Sequence, residues 1–276
     1  MLNNLKTFVL FVVMGAIIMA AGTYFGGQSG LAIGLGIALI FTFGSYWYSD
    51  KIATSMYGAR EVSPQEAPAL HEMVERLSRA AGIPKPRIAI VDLDIPNAFA
   101  TGRDPSHGLV AVTTGLLNGL SQDEIEGVVA HELAHIKHRD TLTMAVAAAM
   151  AMAITFIARM AFWFGGSRDN GGGLLGMLAM LIVAPLAATL IQLAISRSRE
   201  FEADAGAAKI TGNPRGLAYA LARLEGYNKR AEFPYADPAT AHMFIVQPAM
   251  GGSLVSLFST HPSTKERIKR LEAMAR

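Results

Sequence analysis

The pentapeptide His131-Glu132-Leu133-Ala134-His135 carries the residue types of a zinc hydrolase at helical spacing. On a helix, His131 and His135 lie one turn apart on the same face, so two imidazoles can share one tetrahedral zinc. Glu132 between them can act as general base toward a water held at that metal. The chain contains no cysteine, which excludes a disulfide framework and a thiolate zinc site. Histidine and carboxylate must therefore do any metal work. So short a pattern recurs by chance, and the rest of the sequence must supply a third ligand and the elements that hold it.

The metzincin pattern would place a glycine and a third histidine just downstream, where this chain has His138 and Thr141, and that pattern is excluded. Two candidates remain. His138 sits three residues past His135 but is grouped with Lys137, Arg139 and Asp140, as interfacial residues are. In the later segment Ser196-Arg197-Ser198-Arg199-Glu200-Phe201-Glu202-Ala203-Asp204, Glu200 and Asp204 share a helix face. A carboxylate from a second helix can complete a His-His-Glu site with an open fourth position, and a partner one turn along can orient a ligand from behind. By spacing alone the same residues read equally well as the solvated acidic start of a helix.

The elements that must position these residues are largely apolar. With 51% hydrophobic and 17% charged residues, the 276-residue chain falls outside the range of soluble domains and reads as a membrane protein. No charge occurs from Thr7 to Ser49, long enough for two spans of about 20 residues, with a hairpin expected in the glycine-rich stretch from Gly22 to Gly30. A third run, Thr141 to Phe164, contains only Arg159, and a fourth, Gly171 to Ile195, is uncharged and includes Pro185. Lys6, Lys51, Lys137, Arg139, Arg197 and Arg199 all flank these runs on one side, which predicts a cytoplasmic location for the polar segments. The expected organisation is a hairpin of two spans over 1–49, a polar α+β part over 50–140, a second hairpin over 141–195 and a polar helical part over 196–276. A net charge of +2 with dispersed basic residues sets nucleic acid aside as a partner.

Within the first polar part, from Ser63 to Ala81, Ala67, Leu70, Met73, Val74 and Leu77 recur at helical spacing and predict a helix that stops at Gly82. Arg87 to Val91, Asn97 to Thr101 and Gly108 to Thr113 read as three short strands. Ser121-Gln122-Asp123-Glu124 has the form of a capping box, so the helix bearing the two histidines should begin near Gln122 and run toward the third span, with or without a break. The fold expected is a mostly α membrane protein of four transmembrane helices with an α+β, zincin-like catalytic region built on a small three-stranded sheet.

His131-Glu132-Leu133-Ala134-His135 together with Glu200-Phe201-Glu202-Ala203-Asp204 resembles the HtpX group of integral-membrane zinc metalloproteases, relatives of the CAAX-processing prenyl proteases. Asn97-Ala98-Phe99-Ala100 is similar to that group's edge-strand motif, and His261-Pro262-Ser263 to its late His-Pro motif. The likeness extends over nearly the whole chain. It implies one Zn2+ per chain held by His131, His135 and Glu200, support of the site by Asp204, and contact of Asn97 and His261 with substrate backbone or the developing oxyanion. It also implies a bacterial cytoplasmic membrane and substrates that are damaged or misassembled membrane proteins or unfolded polypeptides.

The residues themselves support a matching mechanism, in which Glu132 takes a proton from water and returns it to the leaving amine. His261 is the candidate donor to the oxyanion, although Pro262 and the Ser263-Thr264-Lys265-Glu266 box also make this stretch a good helix start. Asn97 to Ala100 suits an edge strand pairing with an extended peptide, while Asn97 could equally close the turn at Pro96. The segment from Glu232 to Thr260, rich in proline, glycine and alanine, is either a lid over the cleft or a packed connection. Competing readings are a prenyl-protein protease, which needs a more enclosed chamber than four spans provide, and a membrane scaffold or holdase with a structural zinc, which would not need Glu132.

Overall fold

A long uncharged apolar stretch that enters lipid must satisfy its own backbone hydrogen bonds, and the N-terminal stretch is indeed helical. The computed structural model describes residues 2–147, 150, 197–228, 245 and 262–275. Helix α1 (Leu2–Trp47) is interrupted at Gly27, whose φ of 56° and ψ of −138° lie outside the helical region. Its two arms, Leu5–Tyr24 and Gly26–Trp47, have mean hydropathies of 2.1 and 1.6 and are long and apolar enough to cross a membrane. The arms fold back tightly: a Cβ on Gly22 would stand 2.3 Å from the Gly30 carbonyl oxygen. Leu10, Met14, Ile18 and Ala38 of α1 pack with Leu142, Val146, Ala147 and Met150, while Phe8, Val12, Ile33 and Ile40 face outward. The expected spans beginning at Thr141 and Gly171 lie mostly outside the described residues, as does most of the segment from Glu232 to Thr260.

A short helix, α2 (Ser49–Met56), leads from the apolar arms into a mixed sheet. Strands β1 (Arg60–Glu61), β2 (Arg87–Val91), β3 (Ala98–Thr101) and β4 (Leu109–Thr113) are ordered β1-β2-β4-β3. The β2–β4 pair is parallel and the other two pairs are antiparallel. The sheet thus has four strands rather than the expected three. The additional β1 is a charged two-residue strand, too short to show any periodicity, and its Glu61 is tied to Arg87 of β2 at 2.5 Å. Central β4 is buried on both faces, with Val110 and Val112 turned to one cluster and Leu109 and Ala111 to another.

The larger cluster is closed by helices. These are α3 (Pro68–Ala81), the short α4 (Thr114–Gly119), α5 (Gln122–His138), α6 (Arg197–Thr211), α7 (Pro214–Asn228) and α8 (Thr264–Met274). Helix α5 starts as the capping box predicts, with Ser121 N–H donating to Glu124 Oε2 at 2.7 Å. It lies at the centre, enclosed by α3, α6, α7 and the sheet, and is buried without interruption from Gly127 to Ile136. It ends at Arg139, in the left-handed conformation (φ 58°, ψ 34°), and the helix resumes at Asp140. The path toward the third span is therefore broken.

Close contact of α5 with α7 depends on glycine. A Cβ on Gly127 would lie 2.5 Å from the backbone nitrogen of Leu217, and one on Gly216 would lie 2.5 Å from the carbonyl oxygen of Asp123. Backbone atoms cannot rotate out of the way, so Gly127→Ala should destabilise the protein by about 1–3 kcal/mol through overpacking. Gly119→Ala, which meets only the Pro96 ring at 3.9 Å, should be close to neutral. Thermal unfolding of both variants in detergent checks the contrast.

Candidate active site

His131 and His135 lie on the stretch of α5 that is buried without interruption, and their orientation follows from helical spacing. His131 Nε2 and His135 Nε2 are 3.1 Å apart. Glu200, in the first turn of α6, brings its carboxylate to 3.8 Å from His131 Nε2 and 3.5 Å from His135 Nε2. All three side chains are buried, and among the described residues they form a group able to hold a metal ion. Ligand atoms about 2.0–2.1 Å from a tetrahedral zinc lie roughly 3.3–3.4 Å from one another, so these separations fit that ion. His138, the alternative third ligand, is exposed and lies outside the group.

Glu132 is also buried, and the backbone N–H of Ala100 donates to its carboxylate. The proposed base is thus anchored to β3, the outer strand of the sheet. Burial, reinforced by the negative Glu200 and opposed by His135, pushes the Glu132 carboxyl up to about 7. A dication held by the neighbouring ligands would draw it down again.

Each histidine is backed at Nδ1 by a carboxylate. His131 Nδ1 lies 3.0 Å from Asp204 Oδ1, and His135 Nδ1 lies 3.0 Å from Asp140 Oδ2. Burial lowers His131 to about 4, assisted by Arg267 and His135 and resisted by Asp204, so its imidazole is neutral and competent to ligate. At His135 burial acts in the same sense, but Asp140, Glu200 and Glu132 together outweigh it and raise the ring to about 9. A metal would have to displace that proton.

Arg267 of α8 grips Asp204 with two hydrogen bonds, Nε to Oδ2 at 2.8 Å and Nη2 to Oδ1 at 2.7 Å. Its Nη1 donates to the Ile245 carbonyl at 3.1 Å and stands 3.6 Å from Glu200 Oε2. Burial would raise Asp204, yet the charge and hydrogen bonds of Arg267 hold it down to about 2. On the other flank, Arg199 Nε donates to Asp140 Oδ1 at 2.8 Å.

The expected substrate-binding stretch lies on β3 with its residues facing opposite ways. Ala98 and Ala100 turn toward the cluster that includes α5, whereas Phe99 packs on the other face against Tyr57, with ring centroids 4.9 Å apart. Asn97 is buried, its backbone N–H bonded to Thr113 Oγ1 and its Oδ1 accepting from Ile245 N–H at 3.2 Å. His261 lies outside the described residues. The following Ser263 caps α8 by accepting from Glu266 N–H, as the box predicts.

Sequence reasoning missed Asp140, Arg199 and Arg267. Arg267 had a signal: it stands one turn before the fully buried Leu271, a charge on the apolar face of its helix. Arg199 was absorbed into the count of basic residues flanking a span. Asp140 had none, because only the left-handed step at Arg139 brings it back toward His135.

A buried glutamate between two histidines able to share a metal ion, beside a strand edge, is the arrangement of a zincin-type metalloprotease, attached here to two apolar helices of membrane length. The profile of Peptidase family M48 matches residues 64–275, and the chain belongs to that family. It is a membrane metalloprotease, a hydrolase, of a zinc-dependent family. The chain is 51% identical to a "Protease HtpX homolog" of Desulfatibacillum aliphaticivorans, over 98% of this chain and 89% of that one. It is also 51% identical to proteins of the same name from Persephonella marina, over 100% and 98%, and Pyrococcus furiosus, over 98% and 95%. The crystal structure of S. mikatae Ste24p has a similar fold, with a TM-score of 0.55 and 19% identity, covering 98% of this chain and 65% of that one.

The buried Arg267 should be a stability determinant. Arg267→Met leaves Asp204 and Glu200 without their counter-charge and should cost about 3–5 kcal/mol. Adding Asp204→Asn should recover part of that loss, since the two groups interact directly. Chemical unfolding of the single and double variants checks both expectations.

Proposed function

We propose that this protein is a zinc endopeptidase of the bacterial cytoplasmic membrane that cleaves damaged or misfolded membrane proteins and unfolded polypeptides at the cytoplasmic face. The observation that carries the reading is the position of Glu132, joined to the β3 backbone through Ala100 and flanked by His131 and His135. His131, His135 and Glu200 would hold one Zn2+ per chain. Zinc there would supply Lewis acidity, lowering the pKa of a coordinated water to about 7 and polarising a peptide carbonyl. Glu132 takes the proton of the attacking water onto its carboxylate and passes it to the leaving nitrogen. Asp204 holds His131 through Nδ1 and keeps Nε2 directed at the ligand group.

An extended substrate would pair with β3, so that Asn97, Ala98, Phe99 and Ala100 recognise its backbone rather than its side chains. Asn97 holding a main-chain N–H, that of Ile245, supports this role. His261 is proposed as the oxyanion donor on the family resemblance. A structural zinc would not require a buried base beside its ligands, which favours the enzyme over a scaffold or holdase.

Four spans, with both termini cytoplasmic, accommodate the apolar runs. The hydrogen-bond contact between Thr7 Oγ1 and Thr143 Oγ1, 2.9 Å apart, supports a start of the first and third spans on the same side. The polar parts at 50–140 and 196–276 then share the cytoplasmic face.

Glu132→Gln should retain zinc but lose casein or membrane-substrate cleavage by a factor of about 10²–10⁴. Cleavage at the wild-type rate would overturn the mechanism. Glu200→Ala should lose the metal, as read by atomic absorption of the purified protein. With no native cysteine, single-cysteine labelling has no background. A cysteine at position 172 should react only from outside the cell, and one at 51 only after the cytoplasmic side is opened.

A further inference from the structure

The end of α5 is unusual in using a non-glycine residue, Arg139, in the left-handed conformation, and among the described residues no other non-glycine residue adopts it. In an unbroken helix, residue 140 would point roughly 140° away from residue 135 around the axis. The left-handed step changes that direction and sets Asp140 Oδ2 3.0 Å from His135 Nδ1. The other oxygen of the same carboxylate accepts from Arg199 Nε at 2.8 Å. Arg199 immediately precedes Glu200 in α6. One buried carboxylate therefore joins the segment carrying two of the ligand residues to the segment carrying the third.

We infer that Asp140 and Arg199 are positioning residues for the metal, acting on His135 and Glu200. The inference rests on the ligand set proposed above. Asp140 selects the His135 tautomer with its proton on Nδ1, so that the Nε2 lone pair faces the ligand group. Arg199 holds Asp140 in that orientation and, as the residue next to Glu200, sets the register of the third carboxylate against α5. The other ligand histidine has the same support by different means, since Asp204 lies behind His131 Nδ1 and Arg267 grips Asp204. Both imidazoles are thus fixed by a carboxylate that an arginine from another helix fixes in turn. Arg199, placed where a basic residue would flank a span, serves the site rather than the topology alone.

The test uses the full-length protein in detergent and reads metal affinity independently of cleavage. Zinc affinity is measured by competition with a chromophoric chelator, and coordination geometry by the visible absorption of the Co2+-substituted protein. Asp140→Ala should weaken zinc binding by about 10–100-fold and alter the cobalt bands. Arg199→Gln should weaken it less, Arg199→Lys less again, and Arg199→Gln should add little in the Asp140→Ala background, because it acts through that residue. If Asp140→Ala does not fold, Asp140→Asn and Arg199→Gln decide the matter by the same two readouts. Variants that melt earlier without metal but keep wild-type zinc affinity and cobalt spectrum would overturn the inference. A wild type that binds zinc through Glu200 without cleaving peptides would sink the peptidase reading and leave this one standing.

Discussion

Burying charge in the middle of a protein is expensive unless every charge is answered, and that requirement organises the structure around α5. The acidic groups of Glu132, Glu200, Asp204 and Asp140 converge there, against the guanidiniums of Arg267 and Arg199. With both imidazoles neutral, the two arginines leave part of the negative charge unanswered, and a dication held by His131, His135 and Glu200 would offset it. The high affinity of His135 for a proton is the same deficit seen from the other side. The spacing of the His131, His135 and Glu200 donor atoms fits a tetrahedral zinc ion as that counter-charge.

The same requirement explains why the site uses segments so far apart in sequence. A helix can offer two ligands one turn apart, but a third from the same helix would lie on the wrong face or too far along the axis. Glu200 and Asp204 arrive on α6, Arg267 on α8, and the Ala100 amide on β3. Helix α5 can receive all of them because it is enclosed on several sides, and because Gly127 and Gly216 let α7 pack with no side chain between. Packing and electrostatics therefore meet on the same helix.

Much of the architecture was legible in the chain. Short apolar runs between turn residues located three of the four strands, the capping box located the start of α5, and the uncharged stretch with its central glycines located the hairpin of two apolar helices. Strand β1 escaped because two charged residues have no period. Helix α3 begins at Pro68 rather than at Ser63, because Glu66 folds back to accept from the backbone and hydroxyl of Ser63 and closes a separate turn. The break at Arg139 left no trace in composition, since nothing in an arginine announces a left-handed backbone.

By itself the sequence determined the chemistry available: two histidines and a glutamate at helical spacing, a carboxylate pair beyond a long apolar passage, and no cysteine to compete as a ligand. Such features are local, and local spacing is readable because helix geometry is the same everywhere. The tertiary structure alone decided which carboxylate meets which imidazole, that Asp140 turns back to His135, and that Arg199 faces inward. Those outcomes depend on how the helices pack and on one reversed backbone angle. They are nonlocal free-energy balances, set by which charges can be buried together, and no short stretch of sequence contains them.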